Sequence, residues 1–346
     1  MIVGMGLIAR LSEIIPIGGY SRVVIVTDKV VAPLYLDRLA EGLNVPVTRI
    51  VLPGGEKAKN LAGISQIWTA MLGAACDRKT LVIALGGGVV GDMAGFAAAT
   101  YMRGVDWVQV PTTALSQVDS GIGGKTGFDF GGVKNPIGVF SQPRAVIVDI
   151  ETLETLSDRD FVADFAEIIK HGLIRDAAYL AMVTAKRPRD FSTSELTDII
   201  SGSVRIKVAF VQSDPNEAGV RSTLNYGHTV GHAVEALSLD TDAPLRHGEA
   251  VSIGMMAEAA IAVGRGLLSA SDARKMRDLL LEAGLPVRVP AYDMDQLFAK
   301  MALDKKNAHG ILRFTLLKGL GDAVWYQEVP KNEVLAAIRR NQEDEA

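Results

Sequence analysis

The chain of 346 residues has one cysteine, only 6% aromatic residues, no surplus of positive charge and no long uninterrupted apolar run. A single thiol, Cys76, excludes an intrachain disulfide and suits a reducing compartment; its simplest role is that of a small buried apolar residue. The formal net charge of -4 argues against a general nucleic-acid binder, which needs clustered Lys and Arg to neutralise phosphates. Any anion site must therefore be local. No stretch reaches transmembrane length without charges or glycines, so no membrane span is expected. Met1 to Arg10 holds a short apolar stretch but neither a basic leader nor a clear cleavage site, so the expectation is a cytoplasmic protein.

What is present fits a globular protein with ample core, at 48% hydrophobic and 22% charged residues. The length prior of roughly 150 residues per domain gives two domains. The first 150 or so residues alternate short β-branched runs with helical patterns: Val23 to Thr27, Val47 to Val51, Leu81 to Leu85, Trp107 to Val110 and Ala145 to Asp149. Such alternation predicts a parallel sheet with crossover helices. Beyond about Leu153 apolar residues recur at helical spacing, in Phe161 to Leu173, Leu196 to Gln212, Glu249 to Val263 and Ala270 to Leu281. Near the end, Leu312 to Leu317 and Ala323 to Tyr326 flank a glycine turn and predict a hairpin. The expected division is residues 1–155, a Rossmann-like α/β domain, and residues 156–346, a mainly helical one.

Gly86-Gly-Gly88-Val89-Val90-Gly91-Asp92 follows the run Leu81 to Leu85 and opens a helical pattern. Strand, glycine turn and helix N-terminus together make a pyrophosphate cradle, because backbone N–H groups approach closely where no Cβ intrudes. The usual fingerprint expects an acidic residue about 20 positions after the glycines to hold the ribose; here the better candidate is Asp28, which ends an earlier strand, and an Asx-type turn is its simpler role. Gly54-Gly55-Glu56-Lys57-Ala58-Lys59 forms a second charged glycine turn, and Thr112 and Thr113 follow another strand at the sheet's carboxyl edge. Asp119, Gly123-Gly-Lys125-Thr126 and Lys134-Asn135 lie in a glycine-rich segment with little periodicity, expected to be a functional loop. It is not a P-loop, since Asp119 occupies the position of the first glycine.

The second half carries the metal-binding signal. His228 and His232 are four apart on a helical pattern, so their imidazoles share a face, and His247-Gly-Glu249 and Glu167-Ile-Ile-Lys170 add a third imidazole and a carboxylate. Imidazole plus carboxylate suits zinc, with a coordination position left for substrate. On the residues alone both helix histidines are candidate ligands. Lys170, Lys207, Arg221, Asn225 and Lys305-Lys306 add cations and an amide, which implies a substrate with several negative groups.

These motifs together resemble the sugar-phosphate cyclases, most closely the 3-dehydroquinate synthase family, from Ile2 to about Ile338: Gly54 to Lys59, Gly86 to Asp92, Val110 to Thr113, Gly123 to Thr126, Lys134-Asn135, Glu167 to Lys170, Leu224 to Glu235, His247 to Glu249 and Asp304-Lys-Lys306. The resemblance implies a Rossmann-like domain followed by a helical one with the active site in the cleft between them, and a homodimer. It implies Glu167, His228 and His247 as ligands to zinc or cobalt, with His232 moved to substrate phosphate. It places NAD against Asp28, Gly54 to Lys59, Gly88 to Asp92, Thr112, Thr113, Lys125, Lys134 and Thr152-Leu153-Glu154-Thr155, with Asp119 near the nicotinamide. Lys170, Lys207, Arg221 and Asn225 go to the substrate carboxylate and hydroxyls, and Lys125, Asn135, His232 and a lysine of Lys305-Lys306 to phosphate. The resemblance also implies that Arg103 reaches in from a partner subunit.

The implied reaction is a lyase step of the shikimate pathway, from 3-deoxy-D-arabino-heptulosonate 7-phosphate to 3-dehydroquinate and phosphate. It runs through NAD-dependent oxidation, β-elimination, reduction, ring opening and aldol closure, with NAD regenerated each turn. The sequence departs from the family at Phe128 to Val133, where Asp129 replaces an amide-bearing residue and two glycines loosen the loop. Rival expectations are a sister cyclase of the 2-epi-5-epi-valiolone or 2-deoxy-scyllo-inosose synthase type, a metal-dependent polyol dehydrogenase, and a non-catalytic NAD-binding regulator. Arg221, Asn225 and Asp304-Lys-Lys306 favour a carboxylate-bearing substrate, since a neutral sugar would leave their charge unpaired.

Overall fold

The computed structural model describes residues 1–302 and 312–343. The chain forms two compact units, Met1–Leu156 and Ser157–Ala346.

The first unit contains β1 (Ile2–Gly4), α1 (Leu11–Ile14), β2 (Arg22–Asp28), α2 (Asp37–Glu41), β3 (Val47–Leu52), α3 (Leu61–Gly73), β4 (Thr80–Gly86), α4 (Gly88–Thr100), β5 (Asp106–Pro111), β6 (Lys125–Phe130), β7 (Val133–Phe140) and β8 (Ala145–Asp149). Six strands make a parallel sheet in the order β1-β8-β5-β4-β2-β3. Its central strands are apolar on both faces, as a sheet covered by helices on each side demands. Val24, Val26, Val82 and Ala84 pack with Ile64, Ile67 and Met71 of α3 and Val90 and Met93 of α4. Val23, Ile25, Leu81, Ile83 and Leu85 point the other way, into the cluster of Leu7, Leu11, Leu36 and Leu39. The five β-branched runs read from the sequence are β2, β3, β4, β5 and β8, and the short edge strand β1 was not anticipated.

The glycine-rich segment corrects an expectation. It is not a loop without periodicity: residues 125–140 form the antiparallel hairpin β6–β7, with Phe130 paired to Val133. The two residues between them, Gly131 and Gly132, have φ of +61° and +76°. Two successive positive φ values are what a two-residue type I′ hairpin turn requires. Asp129 contributes by accepting the Asn135 backbone N–H at 2.7 Å. The departure at Phe128 to Val133 thus creates a tight turn, and the glycine pair tightens the loop instead of loosening it.

The second unit contains α5 (Asp158–Arg175), α6 (Ala177–Val183), α7 (Thr193–Ser213), α8 (His228–Ser238), α9 (His247–Gly264), α10 (Ala270–Glu282), α11 (Met294–Ala302), the antiparallel hairpin β9 (Leu312–Gly319) and β10 (Asp322–Val329), and α12 (Lys331–Glu343). Side chains cap the helix starts: Ser157 accepts from Asp160 N for α5, and Ser192 and Glu195 form a reciprocal capping box on α7. Glycines set the helix spacing. A Cβ on Gly254 of α9 would lie 2.7 Å from the Gly231 nitrogen and 2.9 Å from the Gly227 carbonyl carbon, and one on Gly248 would overlap the Ala163 carbonyl of α5. Their absence lets α8, α9 and α5 approach backbone to backbone.

Candidate active site

That close approach brings together the polar residues of three helices. Halfway along α5, in a run of buried Phe, Ala and Ile, Glu167 and Lys170 are 0% and 1% exposed. The Lys170 ammonium lies against Glu167 Oε2 and also donates to the Leu224 carbonyl at 2.7 Å, which ties α5 to the turn before α8. His228, the first residue of α8, places Nε2 3.5 Å from Glu167 Oε1, and His247, the first residue of α9, places Nε2 3.6 Å from the same oxygen. One donor atom of each residue lies within 4.8 Å of the others, the spread of a shared coordination sphere. Neither Glu167 oxygen has a well-aligned hydrogen bond among the described residues. A buried carboxylate needs a cation, and Lys170 supplies one at Oε2 while Oε1 faces the two imidazoles.

The other imidazole nitrogens are held: His228 Nδ1 lies 3.1 Å from the Tyr226 carbonyl oxygen, and His247 Nδ1 3.2 Å from Glu235 Oε2. Such bonds fix the tautomer and aim Nε2 at the cluster. Burial by itself would push the Glu167 carboxyl up, but the Lys170 ammonium and the two imidazoles outweigh it and hold it well below the carboxylate range. Burial, reinforced by Lys170, pushes His228 well below the usual imidazole value. Burial also opposes the charge on His247, but the Glu167 and Glu235 carboxylates beside it raise it to about 10.

His232 is exposed, with its ring centroid 5.1 Å from that of His228 and 5.9 Å from that of His247. It groups with Glu235 and His247 and not with Glu167. The shared helix face of His228 and His232 is therefore real, but only the first of them meets the buried carboxylate. Lys207 and Arg221 are buried. Arg221 Nη1 donates to the Pro215 carbonyl at 2.7 Å, and Asn225 Nδ2 donates to Glu217 Oε1 at 3.1 Å. Asp214 organises this turn by accepting the backbone N–H groups of Ala218, Gly219 and Arg221. Lys305 and Lys306 lie outside the described residues.

In the first unit the strand register brings Asp28, Gly86, Thr112 and Thr113 to the carboxyl edge of the sheet. Helix α4 starts at Gly88 with Gly87 as an N-cap that offers no side-chain bond, so its first N–H groups are open to an anion. Close packing explains the small residues here: a Cβ on Gly87 would lie 3.1 Å from Thr113 Cγ2, and one on Gly88 3.0 Å from Ser120 Oγ. Lys59 is buried and pairs with Asp92 at 2.6 Å, while Glu56 Oε1 lies 3.9 Å from Lys59 Nζ and 3.8 Å from Lys134 Nζ. Burial pushes the Asp92 carboxyl up in spite of that ammonium.

Asp28 Oδ1 accepts from Val30 N and Val31 N, so the Asx-turn role is present. Gly54 and Gly55 have φ of +83° and +76° and lead into the turn Glu56–Ala58. The Thr152 and Thr155 hydroxyls donate to the carbonyls of Asp149 and Thr152. Lys125 is exposed at the start of β6, Asn135 is exposed with φ +48°, and Arg103, φ +67°, lies in the turn before β5.

Sequence reasoning gave no role to Glu217, Glu235 or Glu258. Glu235 had a usable signal, standing seven after His228 and three after His232 on one helix face. Glu258 had another, as the one charged residue in the apolar run Ala250 to Val263.

Comparisons with known proteins match both parts of the chain. The 3-dehydroquinate synthase N-terminal family model matches residues 49–163, and the 3-dehydroquinate synthase C-terminal model matches residues 164–307. A curated 3-dehydroquinate synthase from Nitrosospira multiformis is 45% identical over 317 residues, 89% of this chain and 85% of its own length. Among solved structures, a 2-deoxy-scyllo-inosose synthase complexed with carbaglucose-6-phosphate, NAD+ and Co2+ superposes with a TM-score of 0.89 at 26% identity, covering 98% of this chain and 96% of that one. The 2-epi-5-epi-valiolone synthase of Streptomyces hygroscopicus, with NAD+ and Zn2+ bound, gives 0.87 at 30% identity, with 98% and 95% covered. With both halves matched by their own models and a relative this similar over most of its length, the chain belongs to the 3-dehydroquinate synthase family.

Proposed function

We propose that the chain converts 3-deoxy-D-arabino-heptulosonate 7-phosphate to 3-dehydroquinate and inorganic phosphate, as a lyase that uses NAD and a divalent metal without consuming either. The observation that carries the reading is the fully buried Glu167 carboxylate, without a well-aligned hydrogen bond and facing two imidazole nitrogens at 3.5 and 3.6 Å. Three lone-pair donors of this kind fit zinc or cobalt, and three protein ligands leave room for substrate oxygens. The uncapped start of α4 beside Gly86 to Gly88 fits a dinucleotide pyrophosphate.

When bound, NAD supplies a temporary hydride acceptor and the ion supplies Lewis-acid polarisation of substrate hydroxyls. Glu167, His228 and His247 would hold the ion, with Glu235 keeping the His247 Nδ1 proton in place. Lys170 offsets the buried carboxylate charge and fixes the turn that presents Asn225. Lys170, Lys207, Arg221 and Asn225 would bind the substrate carboxylate and hydroxyls, the planar guanidinium of Arg221 suiting a carboxylate. His232, exposed at the edge of the cluster, would take phosphate together with Lys125 and Asn135. Asp28, the turn Gly54 to Lys59, Gly88 to Asp92, Thr112, Thr113, Asp119, Lys134 and Thr152 to Thr155 would line the NAD site. The proposal includes a cytoplasmic homodimer in which Arg103 serves the partner's site, and a division of roles at about residue 155.

The test supplies the heptulosonate phosphate with catalytic NAD and zinc and follows phosphate release and dehydroquinate formation. Both should appear with no net NADH. Absence of both products in folded, metal-replete protein removes the assignment. Faster turnover of a sugar phosphate without a carboxylate would point to a sister cyclase, and stoichiometric NADH to a polyol dehydrogenase.

A further inference from the structure

The helix that opens with His228 has no cap of its own. Its N-cap is Gly227, at φ +81°, which has no side chain to accept a bond. The first N–H groups of a helix need acceptors when they are buried. Here the acceptor comes from a different helix. Glu258 of α9 is 0% exposed, and its Oε2 accepts the Gly227 N–H at 2.7 Å. Its Oε1 faces the N–H groups of Thr229 and Val230 at 3.2 and 3.4 Å. The Glu258 carboxyl also sits at the positive end of the α8 dipole. Burial pushes the Glu258 carboxyl up to about 8, against three backbone donors and the Lys170 ammonium, which all favour the ionised form.

The placement links two candidate ligands. His247 is the first residue of α9, and Glu258 lies three turns further along the same rigid helix. The bond to Gly227 N therefore runs from the helix that carries His247 to the residue immediately before His228. The glycine contacts limit how close α8 may come to α9, and the bonds from Glu258 add a fixed point at the start of α8. We propose that Glu258 is a positioning residue of the metal centre: by capping α8 from α9 it fixes the distance between the His228 and His247 nitrogens and so sets the affinity for a divalent ion. This rests on the reading of Glu167, His228 and His247 as metal ligands.

The experiment measures zinc affinity of the full chain by competition with a chromophoric chelator, and records the visible spectrum of the cobalt-loaded protein. The variants are Glu258→Ala and Glu258→Gln, with Ser269→Ala as a matched control, since Ser269 Oγ caps α10 by accepting Asp272 N at 3.0 Å. Loss of a group that orients ligands typically weakens metal affinity about 10- to 100-fold. Glu258→Ala should fall in that range with an altered cobalt spectrum. Glu258→Gln, which keeps one accepting oxygen, should lie between it and the wild type. Ser269→Ala should stay within about twofold, because losing a remote cap lowers stability without changing the affinity of molecules that remain folded.

Zinc binding within about threefold of wild type in both Glu258 variants, with an unchanged cobalt spectrum, overturns the proposal. If Glu258→Ala does not fold, Glu258→Gln alone decides on the same criterion. If the wild type and a His247→Ala variant bind zinc equally, the metal reading itself fails and takes this proposal with it.

Discussion

Substituting Gly254 with alanine tests the packing on which the whole cluster depends. The added Cβ lands on the Gly227 carbonyl, 2.9 Å from its carbon and 2.7 Å from the Gly231 nitrogen. All these atoms are backbone, so no rotamer change can relieve them. Ordinary contact lies near 3.5–4.0 Å, so α8 must retreat from α9 by on the order of 1 Å. Overpacking of this kind costs up to about 3 kcal/mol, while the better helix propensity of alanine returns about 1 kcal/mol, leaving a loss of about 2 kcal/mol. Metal–ligand distances tolerate only about 0.2 Å, so the same retreat should also weaken zinc binding at least about tenfold. Urea denaturation and chelator competition measure the two effects. Gly319→Ala is the control, because a Cβ there meets nothing within 4 Å, and it should stay within about 0.5 kcal/mol of wild type. A Gly254→Ala protein with wild-type stability and wild-type zinc affinity would refute the argument that glycine spacing sets the site.

Three further outcomes are expected. Lys170→Met removes the cation from a fully buried carboxylate and should destabilise the metal-free protein by about 3–5 kcal/mol, with saturating zinc restoring part of the loss; equal denaturation midpoints with and without the lysine would contradict this. Burial opposes ionisation of Asp214, but the N–H groups of Ala218, Arg221 and Gly219 outweigh it and hold the carboxyl below its ordinary value. Its contribution to stability is therefore complete above the unfolded value near 4 and disappears as pH falls through the folded value. Asp214→Asn should be less stable than wild type at neutral pH, with the gap closing in acid, and a gap that is constant with pH would count against the argument. Cys76 is 3% exposed and burial pushes its thiol up, so a thiol reagent should label it only on unfolding; rapid labelling of native protein would contradict the assigned burial.

The sheet was legible because its central strands are continuous β-branched runs, and no other element of that length and composition suits a surface buried on both faces. The helices of the second half were legible from their apolar spacing, and the candidate ligands from residue type, since imidazole and carboxylate in short motifs have few other uses in combination. The β6–β7 hairpin was not legible because Gly131-Gly132, read as loosening a loop, takes up the two positive φ values of a tight turn only once the flanking strands pair. Glu258 was missed because a carboxylate in an apolar helix reads as an anomaly until the neighbouring helix supplies its three N–H partners.

By itself the sequence determined five of the six strands of the parallel sheet, the helical character of the second half, and which side chains have metal and anion chemistry. Those properties are set by local periodicity and residue type. The residues alone left both helix histidines as candidates and the family resemblance set His232 apart; the tertiary structure shows His228 and His247 meeting Glu167 with His232 exposed, and it alone decided that α8 borrows its cap from α9. These outcomes depend on how closely three helices approach, which glycine contacts and buried charge fix together and which spacing along one chain does not encode.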